Sequence, residues 1–312
     1  APMRASEVFA ALHGTTDRPA PLARLRKTME EAQVGSVQDK WLIRCLRVVA
    51  GEDLSKPFRQ TVEAYADVVD STVLALDSAL SFLREPSTGV PHLSLLPTVL
   101  PLVSLVGYFH GRAEPGPRER VLLRRWLWRG FVTRRHRDTG NPHLREVSRI
   151  AGLDWRSALR ALQEDAGCPD DGNIEAFAAE VATDGRTRSA LTTRVLGLLL
   201  LRRGPLDIDT GQPLDVDSLL DQAGPGALQN VAGGKGSPPE YVVHRWLPEL
   251  RQRLNDASPS IQESHCWAVS GQCSDRQKLL SASMVADLLR LCEPGQSDHL
   301  PLCDIMGRGG EE

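Results

Sequence analysis

Between Val62 and Leu83 the residues Val62, Tyr65, Val69, Val73, Leu76, Leu80 and Leu83 return every three or four positions, which places them on one face of an α-helix. A stripe this long is unstable in water, so the chain must supply further helices to cover it. Amphipathic patterns do flank it: helices are expected from Ser6 to Leu12, Leu22 to Gln33 and Ser36 to Val49, with the striped helix running from Lys56 to Arg84. After a break from Glu85 to Pro91 comes the most apolar stretch, Leu93 to Phe109. Pro97 and Pro101 interrupt it, and it falls short of the ~20 apolar residues a bilayer demands. It therefore reads as a buried helix beginning near Leu95 with a proline in its first turn, and no membrane segment is expected. Further helices are expected from Pro142 to Ala161, with Asn141 as cap, from Ile174 to Val181 and from Arg186 to Arg203.

The pattern changes after Arg203. Gly, Pro and Asp crowd the stretch from Gly204 to Pro239, where two short alternating pieces around Ile208 and Val216 suggest a loose hairpin. A strand is expected from Tyr241 to Trp246, a short helix from Pro248 to Leu254, and a disordered tail from Gly307 to Glu312. The fold class implied is mainly α: a helical bundle over residues 1–203, then a small α+β domain over 204–312. The 312 residues suffice for two such units. With aromatics at 5%, the core must rest on Leu, Val and Ala.

Six cysteines in a chain of this length do not make the dense framework of a small secreted domain, and a reducing cytoplasm is the expected setting. Four of them, Cys266, Cys273, Cys292 and Cys303, lie near His265 and His299. None forms a Cys-x-x-Cys pair, so buried or surface thiols are the better reading than a zinc site.

The net charge of -3 conceals a strong asymmetry. Residues 112–160 hold thirteen arginines, no lysine and five acids, a local excess of +8. Within this segment Arg124 to Arg137, RRWLWRGFVTRRHR, alternates arginines with Trp126, Trp128 and Phe131. On a helix the aromatics can pack inward while Arg124, Arg125 and Arg129, followed by Arg134, Arg135 and Arg137, form an outer edge. Guanidinium groups grip phosphate through two parallel hydrogen bonds, so DNA is the expected partner, bound with strong salt dependence. Solvated or internally paired arginines are the alternative.

Several short pieces, in this order along the chain, resemble the second half of the two-domain restriction proteins of the GmrSD type. They are Ser6-Glu7-Val8-Phe9, Leu95-Leu96-Pro97, Arg124-Arg125-Trp126-Leu127-Trp128-Arg129, Gly204-Pro205-Leu206-Asp207 through Gly211, and His244-Arg245-Trp246-Leu247-Pro248. Members of that family join a ParB-like nucleotide-hydrolysing domain to an HNH (His-Me finger) nuclease in defence against phage DNA. The resemblance implies a ββα-metal domain in the C-terminal part, a ParB-like domain or subunit as partner, and Mg2+ or Mn2+ as cofactor. In HNH chemistry a neutral histidine activates water while one divalent ion stabilises the leaving oxygen. His244 matches the first histidine of the family pair, and Arg245, which cannot accept a proton, stands where the second serves as base. Either His244 acts after a one-residue shift or the site is degenerate. Asn255 is the second candidate catalytic residue. Asp207, Asp209 and His265 are candidate metal ligands, with Asp215 a further possibility.

Three functions follow as expectations: a metal-dependent DNA nuclease or nicking module, a catalytically inactive DNA-binding or regulatory module, and a helical protein-interaction scaffold.

Overall fold

In the computed structural model, which describes residues 21–57, 62–137, 140–183, 190–230, 241–267 and 273–294, the chain forms thirteen α-helices and one two-stranded sheet among the described residues. The first three helices are α1 (Pro21–Glu31), α2 (Asp39–Val49) and α3 (Val62–Arg84). α3 is the striped helix: Val69, Leu76, Leu80 and Leu83 are buried under α1 and α2, whereas the side chains of Val62 and Tyr65 fall outside the described ones. The expected Ser6 to Leu12 helix and the Gly307 to Glu312 tail also lie outside the described residues.

The most apolar stretch gives α4 (Leu100–Gly111), buried at every position from Leu100 to Phe109 and carrying Pro101 in its first turn. It starts later than expected. Leu93–Leu95 make one 3-10 turn, and Leu96 is extended (φ -64°, ψ 121°) because Pro97 disfavours helical backbone in the residue before it.

The helices that follow are α5 (Pro117–Val132), α6 (Asn141–Arg149), α7 (Trp155–Ala166), α8 (Asp171–Thr183) and α9 (Ala190–Leu201). α4 packs against α2 and α3 and, from the later part of the chain, against α6 and α7. A single helix was expected from Pro142 to Ala161, but α6 and α7 are separate. Ile150–Gly152 tighten into a 3-10 turn, and Asp154 then caps α7, accepting from the N–H groups of Arg156 and Ser157 at 3.1 and 3.2 Å. Gly140, not Asn141, occupies the cap position of α6.

Beyond α9, residues 206 and 213 bridge across a tight hairpin. Val216, expected within that hairpin, instead opens α10 (Val216–Ala223), which Asp215 caps by accepting from Ser218 N–H at 3.1 Å. β1 (Leu228–Asn230) then pairs antiparallel with β2 (Tyr241–Val243), Leu228 opposite Val243. α11 (Leu250–Asp256), α12 (Pro259–Ser264) and α13 (Cys273–Cys292) complete the chain.

The cores do not divide at residue 203. One large core runs from Leu22 to Cys292, taking in Leu219 and Leu220 of α10 and Leu280, Met284, Leu288 and Leu291 of α13. α13 lies on α8 and α5, inside the bundle. A second, small core gathers Ile208, Val242, Leu250, Leu254, Ile261 and Trp267. Among the described residues no helix is long and apolar enough to cross a membrane.

Candidate functional site

Trp126, Trp128 and Phe131 pack inward as their spacing suggests, but the arginines between them do not all face out. α13 covers the side of α5 that the pattern assigns to solvent, leaving Arg125 and Arg129 1% and 0% exposed. Arg129 donates from Nε to the Cys292 carbonyl at 2.8 Å and from Nη2 to the Glu293 carbonyl at 3.2 Å. Carbonyls at a helix C-terminus lack intrahelical donors and carry the negative end of the helix dipole, so a guanidinium suits them. The Glu293 carboxylate takes Arg124 at 3.0 Å and also Arg125. Arg124, Arg125 and Arg129 therefore form a socket for the end of α13 and not a free DNA-contacting edge. Farther along, Arg134 pairs with Glu180, and Arg135 pairs with Asp165 at 2.9 Å and Glu146 at 3.5 Å. Arg137 is exposed and has no ion pair among the described residues.

The expected nuclease residues meet only in part. His244 follows β2, its N–H donating to the Ala227 carbonyl at 2.9 Å, and its side chain is 0% exposed. Its Nε2 lies 3.1 Å from the backbone N–H of Ile208. That group can only donate, so Nε2 accepts and the ring proton sits on Nδ1, which donates to the Arg245 carbonyl at 3.0 Å. Asp207 Oδ2, 3.6 Å from Nε2, is a neighbour that receives no proton there. Nε2 thus ties the end of β2 to the hairpin while Nδ1 closes onto the carbonyl of the next residue, and neither remains to activate water or hold a metal.

The other candidates are engaged as well. Asp207 Oδ1 closes its own turn, accepting from the N–H groups of Asp209 and Thr210 at 3.0 and 2.9 Å and from the Thr210 hydroxyl at 3.1 Å. Burial pushes this carboxyl up, but these hydrogen bonds outweigh it and hold the group below the usual carboxylate range. Asp209 is neutralised by Arg245 at 2.9 Å and Arg253 at 2.5 Å. His265 gives its Nε2 proton to the Leu206 carbonyl at 2.8 Å, and Asn255 Oδ1 accepts from Trp267 Nε1 at 2.9 Å. Asp207, Asp209 and His265 do not converge on a position for Mg2+ or Mn2+. Turn closure, ion pairing and hairpin anchoring use the donors that a metal would need.

A different group does converge. α6 and α7 both contribute to the wall of a pocket of about 810 Å3, which includes Arg135, His143, Glu146, Arg149, Asp165 and Cys168. His143 and Glu146 stand one helical turn apart on α6, and Asp165 comes from the last turn of α7. His143 Nδ1 lies 3.1 Å from Asp165 Oδ1 and 3.9 Å from Glu146 Oε2. The first separation is short enough for a hydrogen bond, yet the directions do not align, and this buried nitrogen has no hydrogen-bond partner. Burial pushes the Asp165 carboxyl up, but His143 and Arg135 more than offset it, so the net shift is downward. The sequence does offer part of this signal, His-x-x-Glu at the start of an amphipathic helix. Asp165, on another helix, has no such spacing to reveal it.

Cys266 and Cys292 are buried, and burial pushes the Cys292 thiol up to about 12, which keeps it an unreactive thiol. Cys303, His299 and the Cys273 side chain lie outside the described residues and side chains. In comparison with known proteins, the chain matches no family model, no curated protein and no solved structure.

Proposed function

We propose that this chain is a helical protein-binding module without nuclease chemistry, in which the corner around His244 serves as structure. The observation that carries this reading is the full use of both His244 ring nitrogens by Ile208 N–H and the Arg245 carbonyl. A general base needs a free lone pair facing solvent or substrate, and a metal ligand needs one facing the ion. The same contacts fix the segment that follows, where Trp246 stands 72% exposed. A large aromatic held out on an ordered loop is the kind of residue that anchors protein interfaces. The resemblance to GmrSD-type proteins suggests the partner, a ParB-like nucleotide-hydrolysing domain or subunit.

The test is a plasmid-nicking assay with Mg2+ and with Mn2+, run on the wild type and His244→Ala, alongside DNA retention at low ionic strength. No cleavage and no retention are expected for either protein. Metal-dependent nicking that disappears in His244→Ala would overturn the reading. A second reading, DNA binding without cleavage, draws on Arg137, Arg149 and Arg160, which are exposed and without ion pairs among the described residues. Salt-sensitive retention lost in the Arg137→Ala, Arg149→Ala double variant would favour it.

A further inference from the structure

We propose that His143, Glu146 and Asp165 form a binding site for one first-row divalent cation of the zinc class, set in the wall of the α6–α7 pocket. The argument begins with spacing. The imidazole nitrogen and one oxygen of each carboxylate all lie within 4.8 Å of one another. Bonds of ~2.0–2.1 Å to a tetrahedral ion place neighbouring donors about 3.3 Å apart. The 3.1 and 3.9 Å separations from His143 Nδ1 lie on either side of that value, so side-chain adjustments below about 1 Å bring the three atoms onto one ion.

The second argument is the state of His143. Its side chain is 3% exposed, and its Nδ1 is buried without a hydrogen-bond partner. A buried polar atom left unsatisfied destabilises the fold, and a bond to a cation would satisfy it. The third is charge. Two carboxylates beside a histidine call for a cation, and in the structure Arg135 supplies one, reaching Asp165 and Glu146 together. Arg135 is partly exposed, so its guanidinium can swing to solvent as an ion enters. Binding is thus an exchange of one cation for another. One nitrogen and two carboxylate oxygens suit Zn2+ or Mn2+, whereas Mg2+ prefers an all-oxygen octahedral shell rich in water. Three protein donors leave coordination positions open toward the pocket.

Isothermal titration with Zn2+, with Mg2+ as control, tests this on the full chain. One Zn2+ per chain and no saturable Mg2+ binding are expected. Glu146→Gln, at a half-exposed position where folding is not at risk, is expected to weaken Zn2+ at least tenfold, and Asp165→Asn to abolish the site. Arg135→Gln removes the competing guanidinium and is expected to tighten binding, a sign that a purely structural role for Arg135 does not predict. Cys168→Ser is expected to leave the affinity unchanged. Absence of Zn2+ binding, or binding that Glu146→Gln and Asp165→Asn leave intact, or binding lost in Cys168→Ser, would overturn the assignment.

Discussion

The seam between α5 and α13 and the pocket between α6 and α7 use the same chemistry, arginine against carboxylate, with opposite results. In the seam, Arg129 serves two carbonyls at the end of α13, and Glu293 serves both Arg124 and Arg125. In the pocket, Arg135 is divided between two carboxylates, and the histidine between them has a buried nitrogen that makes no hydrogen bond, although Asp165 stands 3.1 Å away. The seam is not fully satisfied either, since Arg124 Nε is buried there without a hydrogen-bond partner; what sets the pocket apart is that His143 stands in the wall of an open space, where an incoming group can reach it.

The sharpest way to break this contrast is at Glu293. Glu293→Ala removes the carboxylate that Arg124 and Arg125 share, and because breaking a buried pair costs about 3–5 kcal/mol, the expected loss of stability in urea unfolding is about 3 kcal/mol. A loss below about 1 kcal/mol would mean that the seam is no tighter than a surface ion pair.

His136 lies between the two regions and gives the next largest effect. It is buried against Trp126 and Phe131, and burial pushes it down to about 4, with Asp165 opposing that shift and His143 adding to it. The unfolded chain takes up a proton near pH 6.5, whereas the folded chain does so only near pH 4. The stability that this histidine confers is complete above pH 6.5 and is lost as the pH falls from there to about 4, by roughly 3 kcal/mol. Denaturation midpoints between pH 7 and pH 4 together with an NMR titration of the ring would measure it. A ring titrating near 6.5 in the folded protein would remove the effect.

The smallest effect belongs to the pocket. Arg135→Gln is expected to change stability by less than about 1 kcal/mol, because its carboxylate partners are partly in contact with water. A loss as large as that of Glu293→Ala would turn the pocket into a second seam and erase the contrast.

Much of the fold is legible in the residues, because α3 and α4 follow from periodicity and from a wholly apolar run. The separation of α6 from α7 is less so: Leu144, Val147, Leu159 and Leu162 keep helical spacing across it, and only Gly152 and the capping Asp154 signal the turn. β1 is missed because Leu-Gln-Asn alternates over too short a span to be read as a strand. The direction of Arg125 and Arg129 is hidden for a different reason. Periodicity assigns one buried face to a helix, and α5 has two because α13 returns to cover it. His244 and Asp207 stand close together, but a sequence motif carries no information about which atoms their hydrogen bonds consume. The His143 cluster depends on a meeting of two helices that no local pattern encodes.

Arg129 finds its partner 163 residues farther along the chain. During synthesis the guanidinium groups of α5 therefore leave the ribosome long before the helix end that receives them, and the bundle cannot close over its own interior until Glu293 has emerged. Until then the exposed seam is a place where a chaperone could hold the nascent chain, or where α13 of a neighbouring copy could dock by mistake.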